Sequence, residues 1–151
     1  MISQEKQEKI KTFFNNLSNI QPDHGRDIGL IVLGDETLGD LKTLTPNSNL
    51  VTIFDLTSDV YITGFLEDLA KNLSEERIVF VRIHKYLDPA VYNQLYLISK
   101  SGRMDMLGSE KDSLINVSDK AMLILVFTDN ELESLNYKNI LNIVGPVLRL
   151  N

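Results

Sequence analysis

Four short, continuous apolar segments constrain the fold of this chain more than any other feature. They are rich in isoleucine, valine, leucine and phenylalanine, and they span residues 28–33, 50–54, 78–83 and 121–127. Strands that are covered on both faces carry continuous apolar residues, and such strands are typical of parallel sheets. Predicted helices alternate with these strands, at residues 38–44, 61–73, 88–101 and 131–142. The alternation predicts an α/β fold with a mainly parallel sheet.

The remaining segments complete a single domain. Apolar residues recur at three- and four-residue steps in residues 3–19, which predicts an amphipathic N-terminal helix. Residues 146–150 predict a fifth strand of the sheet. Residues 103–118 contain two short apolar stretches around a turn-rich segment, 108–112, which predicts a hairpin. We therefore expect one three-layer α/β/α sandwich with a five-stranded sheet over residues 1–151.

Composition excludes several classes of function. The net charge of −6 argues against unaided binding to a nucleic-acid backbone, because such binding needs a dense lysine and arginine surface. The chain has no cysteines, so disulfides, thiolate metal sites and cysteine nucleophiles are excluded. His24 and His84 lie far apart and have no second ligand at helical spacing, so we expect no metal site of the zinc type.

The sequence also predicts a location. The N-terminal residues 1–9 are charged and lack the apolar core of a signal peptide. No apolar run approaches the ~20 residues that a helix needs to cross a bilayer. We therefore expect a cytoplasmic protein, or one in another reducing, soluble compartment, with no membrane partner.

A glycine-spaced segment follows the first predicted strand. Gly34 and Gly39 have the spacing of a phosphate-binding loop, G-x-x-x-x-G-K-[ST], in which the lysine contacts the terminal phosphates and the hydroxyl contacts magnesium. Those last two positions hold Asp40 and Leu41. The segment therefore has the spacing of a phosphate loop but not the residues that its chemistry needs.

The order of several further motifs resembles a known family. A strand at residues 78–81 precedes Asp88-Pro89-Ala90-Val91 at the start of a helix, Ser101-Gly102-Arg103 follows that helix, and Thr128-Asp129-Asn130 follows a later strand. This order resembles the large ATPase subdomain of AAA+ proteins, most closely the Clp-type unfoldases. With the glycine-spaced segment, the resemblance covers residues 3–150. It implies a P-loop NTPase-like fold.

The departures from that family lie at its catalytic positions. The magnesium-orienting aspartate and the water-activating glutamate of the family correspond to Arg82 and Ile83, and its phosphate-loop lysine and hydroxyl correspond to Asp40 and Leu41. The chain is too short between its second and third strands for a substrate-gripping pore loop, and we expect no helical lid domain. The resemblance therefore implies a fold that has lost its reaction.

Electrostatics support the same expectation. Asp35, Glu36 and Asp40 would place carboxylates where nucleotide phosphates should lie. At ~6 Å and an effective dielectric of ~20–40, each repulsion costs roughly 1–3 kcal/mol. Lys42 does not replace the missing lysine, because residues two apart on a helix point to nearly opposite faces. We expect neither ATP hydrolysis nor a bound cofactor.

Other polar residues have a structural and a functional interpretation. Asp35, Glu36 and Asp55 follow predicted parallel strands and could hold magnesium. We favour Asp35 as a helix cap, with the other two in solvent. We also interpret His84 as a strand-end surface residue and Arg149 as an ordinary strand-end charge rather than one that reaches a neighbour's nucleotide.

Two more assignments concern helices. Tyr92, Leu95, Tyr96 and Ile98 on the helix at 88–101 are expected to pack in the core and its grooves. Asn130 corresponds to the polar sensor residue of the family, although an asparagine after a strand is also a common helix cap.

The favoured hypothesis is a catalytically inactive AAA+-like domain that acts by protein–protein contact, as an adaptor, inhibitor or scaffold. We expect a protein partner or self-association, with an active AAA+ ATPase as one candidate partner. Phe13 and Phe14 form a candidate contact surface, which could equally pack on the sheet. The alternatives are a nucleotide- or magnesium-binding regulator that uses the strand-end acids, and an accessory protein of replication clamp loading.

Overall fold

A five-stranded sheet forms the centre of the molecule. The computed structural model describes residues 2–17, 19–20, 23–25, 28–56, 62–84, 86–105, 114–135 and 137–151. Within these ranges the strands are β1 (Ile28–Val32), β2 (Val51–Leu56), β3 (Ile78–Ile83), β4 (Arg103–Asp105), β5 (Leu114–Asn116), β6 (Met122–Phe127) and β7 (Val144–Arg149). The large sheet has the order β2-β3-β6-β1-β7, and every neighbouring pair in it is parallel. The predicted parallel sheet is therefore confirmed.

Helices cover both faces of this sheet. They are α1 (Gln4–Asn16), α2 (Leu38–Leu44), α3 (Ile62–Leu73), α4 (Pro89–Ser101), α5 (Asp129–Ser134) and α6 (Tyr137–Leu141). Side chains of α1 and α2 pack with one face of the sheet, and side chains of α3 to α6 pack with the other. The two apolar clusters lie on opposite sides of β1, whose five residues are all buried. This arrangement is the predicted three-layer α/β/α architecture.

Helix α1 packs on the sheet with its aromatic residues. Ser3 caps the helix by accepting a hydrogen bond from the Lys6 N–H. Phe13 and Phe14 are only 5% and 7% exposed, and the Phe14 ring meets Phe80 edge-on at 6.3 Å. Of the two interpretations of these phenylalanines, a partner surface or packing on the sheet, the structure shows packing on the sheet. Their apolar area is already used to attach α1 to the sheet.

The C-terminal half differs from the prediction at one helix. The single helix expected over residues 131–142 is two short helices, α5 and α6. The first begins earlier because Thr128 caps it, and it ends at Leu135, whose N–H still bonds to carbonyls of the preceding turn. The predicted hairpin exists as the antiparallel pair β4–β5, whereas its predicted turn at residues 108–112 lies outside the described residues. Among the helices that are described, none has the length and apolar character needed to span a bilayer.

The topology has a switch point at the carboxyl ends of two neighbouring strands. Strand β1 continues into α2 on one face of the sheet, whereas β6 continues into α5 on the other face. Because β1 and β6 are adjacent, their outgoing chains diverge to opposite faces. In open α/β sheets, ligands bind at such a switch point. The carboxyl edge of the sheet is therefore the candidate position for a ligand site.

Candidate functional site at the carboxyl edge of the sheet

Charged side chains collect at this edge of the sheet. Strands β1, β2, β3, β6 and β7 all end there, since all five are parallel. The ionisable residues at or just after these ends are Asp35, Glu36, Asp55, Arg82, His84, Asp129, Glu131 and Arg149. They form three groups of contacts, one after β1, one at the ends of β2 and β3, and one between β6 and β7.

The segment after β1 is a short turn followed at once by a helix. Thr37 is the N-cap of α2: its Oγ1 accepts a hydrogen bond from the Asp40 N–H at 3.1 Å, and the Asp40 carboxylate accepts one from the Thr37 N–H at 3.0 Å. Gly39 therefore lies inside the first turn of α2 and not in a loop. The expectation that Asp35 caps this helix is wrong, because the Thr37–Asp40 capping box takes that role. Only three residues, Gly34 to Glu36, separate Leu33 from the cap.

Glu36 turns back into this short segment. Its side chain is 2% exposed, and its carboxylate accepts hydrogen bonds from the Gly34 N–H at 2.8 Å and from the Lys6 ammonium at 2.5 Å. Lys6, on α1, also contacts Asp35 at 3.3 Å. The expectation that Glu36 is solvated is therefore wrong. A lysine from another helix neutralises the carboxylate, which makes its burial possible.

The proton equilibria follow from these contacts. The hydrogen bond to Glu36 raises the pKa of Lys6, and the contact with Asp35 adds to the effect. The pKa of Asp35 is lowered by its hydrogen bond with Glu36 and by the Lys6 ammonium. At neutral pH, Lys6 is therefore charged, and its ammonium is the counter-ion of the Asp35 and Glu36 carboxylates.

The side chain at position 41 of α2 points away from the carboxyl edge of the sheet. Leu41 is buried in the apolar cluster that α1 and α2 share with the sheet. Position 41 therefore serves packing, which a hydroxyl at the same place would weaken.

Gly34 has a different constraint, because a Cβ there would lie 2.8 Å from the Leu150 carbonyl oxygen. This glycine permits the close approach of the chain that follows β7.

The second group of contacts is centred on Glu131. Arg82 donates to both carboxylate oxygens of Glu131, from Nε at 3.2 Å and from Nη2 at 3.2 Å. The His84 Nδ1 lies 2.8 Å from the same carboxylate, and its Nε2 contacts Asp55. Glu131 also accepts a hydrogen bond from the Thr128 N–H, in the capping box of α5. One largely buried carboxylate thus joins β3, the end of β2 and the start of α5.

This group corrects the expectation about His84, which is a partly buried link between two carboxylates and not an ordinary surface residue. Asp55 is exposed, as expected, although it contacts His84. Both ring nitrogens of His84 face carboxylate oxygens, so neither is free to act as a general base. Arg82 and Ile83 stand where the resemblance would place two catalytic acids. The Arg82 guanidinium is already paired with Glu131, and Ile83 is buried in the core. The sequence signal for this group is the capping-box pattern Thr128-x-x-Glu131.

The third group joins the chain after β6 to the end of β7. Arg149 donates to Asp129 at 3.0 Å and to the Tyr137 hydroxyl at 3.2 Å. The hydrogen bond to Asp129, followed by that to Tyr137, raises the pKa of Arg149. Asn151 also contacts Asp129. The Arg149 guanidinium is therefore bound by residues of the same chain. Asn130 is exposed on α5, and Thr128, not Asn130, is the cap.

The residues expected to pack along α4 divide into two sets. Leu95 and Ile98 are fully buried in the core, and Tyr92 is half-buried, with its hydroxyl donating to the Asn139 carbonyl at 3.2 Å. Tyr96 is 46% exposed, so its assignment to the core is wrong. Its ring lies under the Lys100 ammonium at 5.6 Å, which is the ordinary contact of two neighbouring side chains on a helix face.

The charges described at this edge are paired with one another. In the part of the chain that the structure describes, no group of three or more histidine, aspartate and glutamate side chains is arranged to hold a metal ion. Comparison with known proteins adds no identification: no family model matches the chain, and no curated protein matches it.

Proposed function

We propose that this protein is a catalytically inactive AAA+-like domain that acts as a protein–protein interaction module. Its carboxyl edge, where related folds hold nucleotide, is closed by its own ion pairs. The domain keeps the architecture and uses its surfaces to bind a protein, either as an adaptor, inhibitor or scaffold. An active ATPase assembly is one candidate partner.

The observation that carries the proposal is the position of Glu36. Its carboxylate already occupies the Gly34 N–H at 2.8 Å and the Lys6 ammonium at 2.5 Å. A phosphate group needs such N–H and ammonium donors for itself. A bound phosphate would compete with this carboxylate and would be repelled by it, at a cost of roughly 1–3 kcal/mol for each pair of charges near 6 Å.

The contacts of Arg82 support the proposal independently. Hydrolysis of a nucleotide needs carboxylates that orient magnesium and an attacking water, and position 82 supplies a guanidinium instead. That guanidinium is engaged by Glu131 through two nitrogens. The nearest histidine, His84, has both ring nitrogens occupied. Of the residues described at this second half of the expected reaction centre, Arg82 and His84 are therefore both engaged.

The strand order is that of an open α/β sheet with an interior first strand. Strand β1, which precedes the glycine-spaced segment, lies between β6 and β7. Doubly wound folds in general place their first strand inside the sheet, beside the ligand site. The AAA+-like part of the proposal therefore rests on the order of the sequence motifs, and the missing lysine, hydroxyl and acids argue for an inactive member.

The two alternatives have less support. A nucleotide- or magnesium-binding regulator would need free strand-end acids, whereas Glu36 is paired with Lys6 and Asp55 with His84. A clamp-loader accessory protein would share the inactive fold, but the net charge of −6 does not favour work close to DNA.

Affinity purification from the native host, with the full chain as bait and quantitative mass spectrometry, tests the proposed function. We expect a specific protein, or further copies of the chain, to be retained equally with and without ATP. The purified pair should then reassemble. A strictly monomeric protein that retains no partner would contradict the proposal, and so would retention that requires ATP.

A further inference from the structure

A groove of about 680 Å³ lies between helix α1 and the edge strand β7. Its lining includes Phe13 of α1 and Pro146 and Leu148 of β7. Val147 is 43% exposed, which is high for a large aliphatic residue in a sheet. It is paired with Leu30 of the other apolar cluster, so its side chain lies on the face of the sheet away from α1. The β7 edge therefore has the groove on one face and an exposed apolar side chain on the other.

Among the described residues, no strand pairs with β7 on the side away from β1. The Leu150 N–H donates to the Val32 carbonyl at 2.8 Å, which directs Leu150 towards β1. Successive strand residues direct their N–H and C=O groups to opposite sides. The N–H and C=O groups of Val147 and Arg149 therefore point away from β1, where an added strand would meet them.

The open stretch is short and bounded. The register with β1 shifts between Val144 and Val147, so that β7 holds one extra residue there, and Pro146 lies in this bulge. Proline and bulges both prevent pairing along a whole edge. Only the stretch from Val147 to Arg149 is left for pairing. This length fits a short extended peptide rather than a long sheet-to-sheet contact.

The α1 wall of the groove is charged and favours a basic partner. It carries Glu5, Glu8 and Lys9 of α1. Glu5 lies 3.8 Å from Lys9, whereas Glu8 has no ion pair with any residue that the structure describes. The wall therefore has an excess of one carboxylate, in a protein whose net charge is −6. In a dimer that joins two β7 edges, two such walls would meet, so a second copy is disfavoured.

We propose that the α1/β7 groove binds an extended peptide segment with alternating apolar and basic side chains, by adding it as a strand to β7. The segment's backbone would pair with Val147 and Arg149. Because successive side chains of a strand point to opposite faces, its apolar side chains would contact Val147 on one face, and its lysine or arginine side chains would enter the groove on the other face and meet Glu8. This inference rests on the proposed protein-binding function and gives that function a surface and a partner chemistry.

The test begins with a displayed library of short random peptides, selected on the immobilised full-length wild-type protein. We expect enrichment of sequences in which apolar residues alternate with lysine or arginine. The selected peptides are then synthesised, and their Kd values are measured by fluorescence anisotropy. Failure to enrich any sequence, or enrichment of acidic ones, would overturn the proposal.

Two pairs of variants then locate the binding surface. Val147→Pro removes one outward N–H at an edge position that tolerates proline, and it should weaken binding about tenfold. Val147→Thr keeps the backbone and the branched shape and should bind close to wild type. Glu8→Lys should weaken binding of the basic peptides, whereas Glu133→Lys, on exposed α5, should leave it unchanged. Equal affinities for all four variants would exclude the groove.

Backbone amide spectra give a readout that does not depend on the variants. Bound peptide should slow hydrogen exchange at the Val147 and Arg149 amides. No change at either amide in the presence of saturating peptide would contradict strand addition.

The outcome separates this proposal from the proposed function. If host partners bind both wild type and Val147→Pro, the groove assignment fails and the protein-binding function stands. If wild type retains no partner at all, the function itself fails. A wild-type dimer that becomes monomeric on Val147→Pro would place a second copy in the groove and overturn the peptide proposal.

Discussion

A single buried carboxylate determines the character of the candidate site. Glu36 is almost inaccessible to solvent and depends on Lys6, thirty positions away in the sequence, for its counter-charge. Sequence spacing alone identified Gly34 and Asp40 as the notable residues of this segment. The contact that matters joins the segment to α1, and no local pattern predicts it.

Lys6→Met tests this contact, and Lys9→Met is its matched control on the same helix. Lys6→Met should lower the melting temperature clearly, because Glu36 would be left buried with only the Gly34 N–H. Lys9→Met breaks only the exposed pair with Glu5, so it should change stability by about 0.5 kcal/mol or less. The double variant Lys6→Met/Glu36→Gln should recover part of the loss, since an amide needs no ammonium. Thermal unfolding of the four proteins gives the comparison.

The stability difference between wild type and Lys6→Met should depend on pH. The pKa of Lys6 is raised above its ordinary value of 10.5, so its contribution is complete below that pH and is lost as the pH rises through the raised pKa. The pKa of Asp35 is lowered below 3.8, so its contribution is lost as the pH falls through the lowered pKa. The buried Glu36 of Lys6→Met has lost its counter-charge and can be relieved by taking up a proton as the pH falls. The stability difference between wild type and Lys6→Met should therefore shrink towards acidic pH and again above the raised pKa of Lys6. A difference that grew as the pH fell, or that persisted above the raised pKa of Lys6, would contradict the assigned contacts.

Gly29 and Gly39 form a second matched pair at the residue scale. A Cβ at Gly29, in β1, would lie 2.8 Å from the Phe13 ring and 3.3 Å from Ile124, so Gly29→Ala should destabilise by about 1–3 kcal/mol. A Cβ at Gly39, in α2, meets nothing closer than Thr37 at 3.6 Å. Gly39→Ala should therefore stabilise by about 0.5–1 kcal/mol, as alanine does in a helix. Urea unfolding measures both. A neutral Gly29→Ala would show that α1 does not pack on β1 as described.

At the scale of elements, the start of α5 is the point where the sheet and its helices are joined. Glu131 completes the capping box with Thr128 and also holds Arg82 and His84 of the β3 edge. The position of α5 therefore depends on one side chain that serves both a local and a tertiary role. An AAA+-like domain would have catalytic acids at this point of β3.

Glu131→Gln should destabilise the protein by about 1–3 kcal/mol, because Arg82 and His84 lose a largely buried carboxylate while the cap can persist. Asp129→Asn, on the same helix, breaks a pair with Arg149 in which both side chains are about half exposed, and it should cost no more than about 1 kcal/mol. Urea unfolding at neutral pH ranks the two variants. Equal losses would mean that Glu131 acts only as a cap.

The elements themselves were largely predictable, and the reasons are local. Continuous apolar runs marked β1, β2, β3 and β6, since both faces of each are covered by helices. Helix α4 matched its prediction because Asp88 and Pro89 start it and Gly102 ends it with a positive φ of 68°. The apolar pattern predicts one helix from residue 131, whereas the Thr128–Glu131 capping box begins α5 at Asp129 and a second helix, α6, follows it. The burial of Glu36 was missed because it depends on tertiary contact with Lys6.

At the scale of the whole molecule, the sheet places its charged groups at the edge where α/β folds bind ligands, and it pairs them there. The groups after β1, around Glu131 and around Arg149 are each closed by contacts within the chain. The edge of β7 is different, because among the described residues no strand pairs with its outer side, and the Val147 side chain is 43% exposed. Binding to protein at the side of the sheet, and not chemistry at its carboxyl edge, is the central claim.

Thermal unfolding in the presence of nucleotide tests that claim most directly. The full chain is titrated with ATP, ADP and GTP, each with and without Mg²⁺, and Mg²⁺ is also titrated alone. A ligand at 100 times its Kd would add ~2.7 kcal/mol of stability and raise the melting temperature visibly. The paired edge predicts no saturable shift with any of these ligands. A saturable, Mg²⁺-dependent rise in melting temperature with one nucleotide would contradict the account.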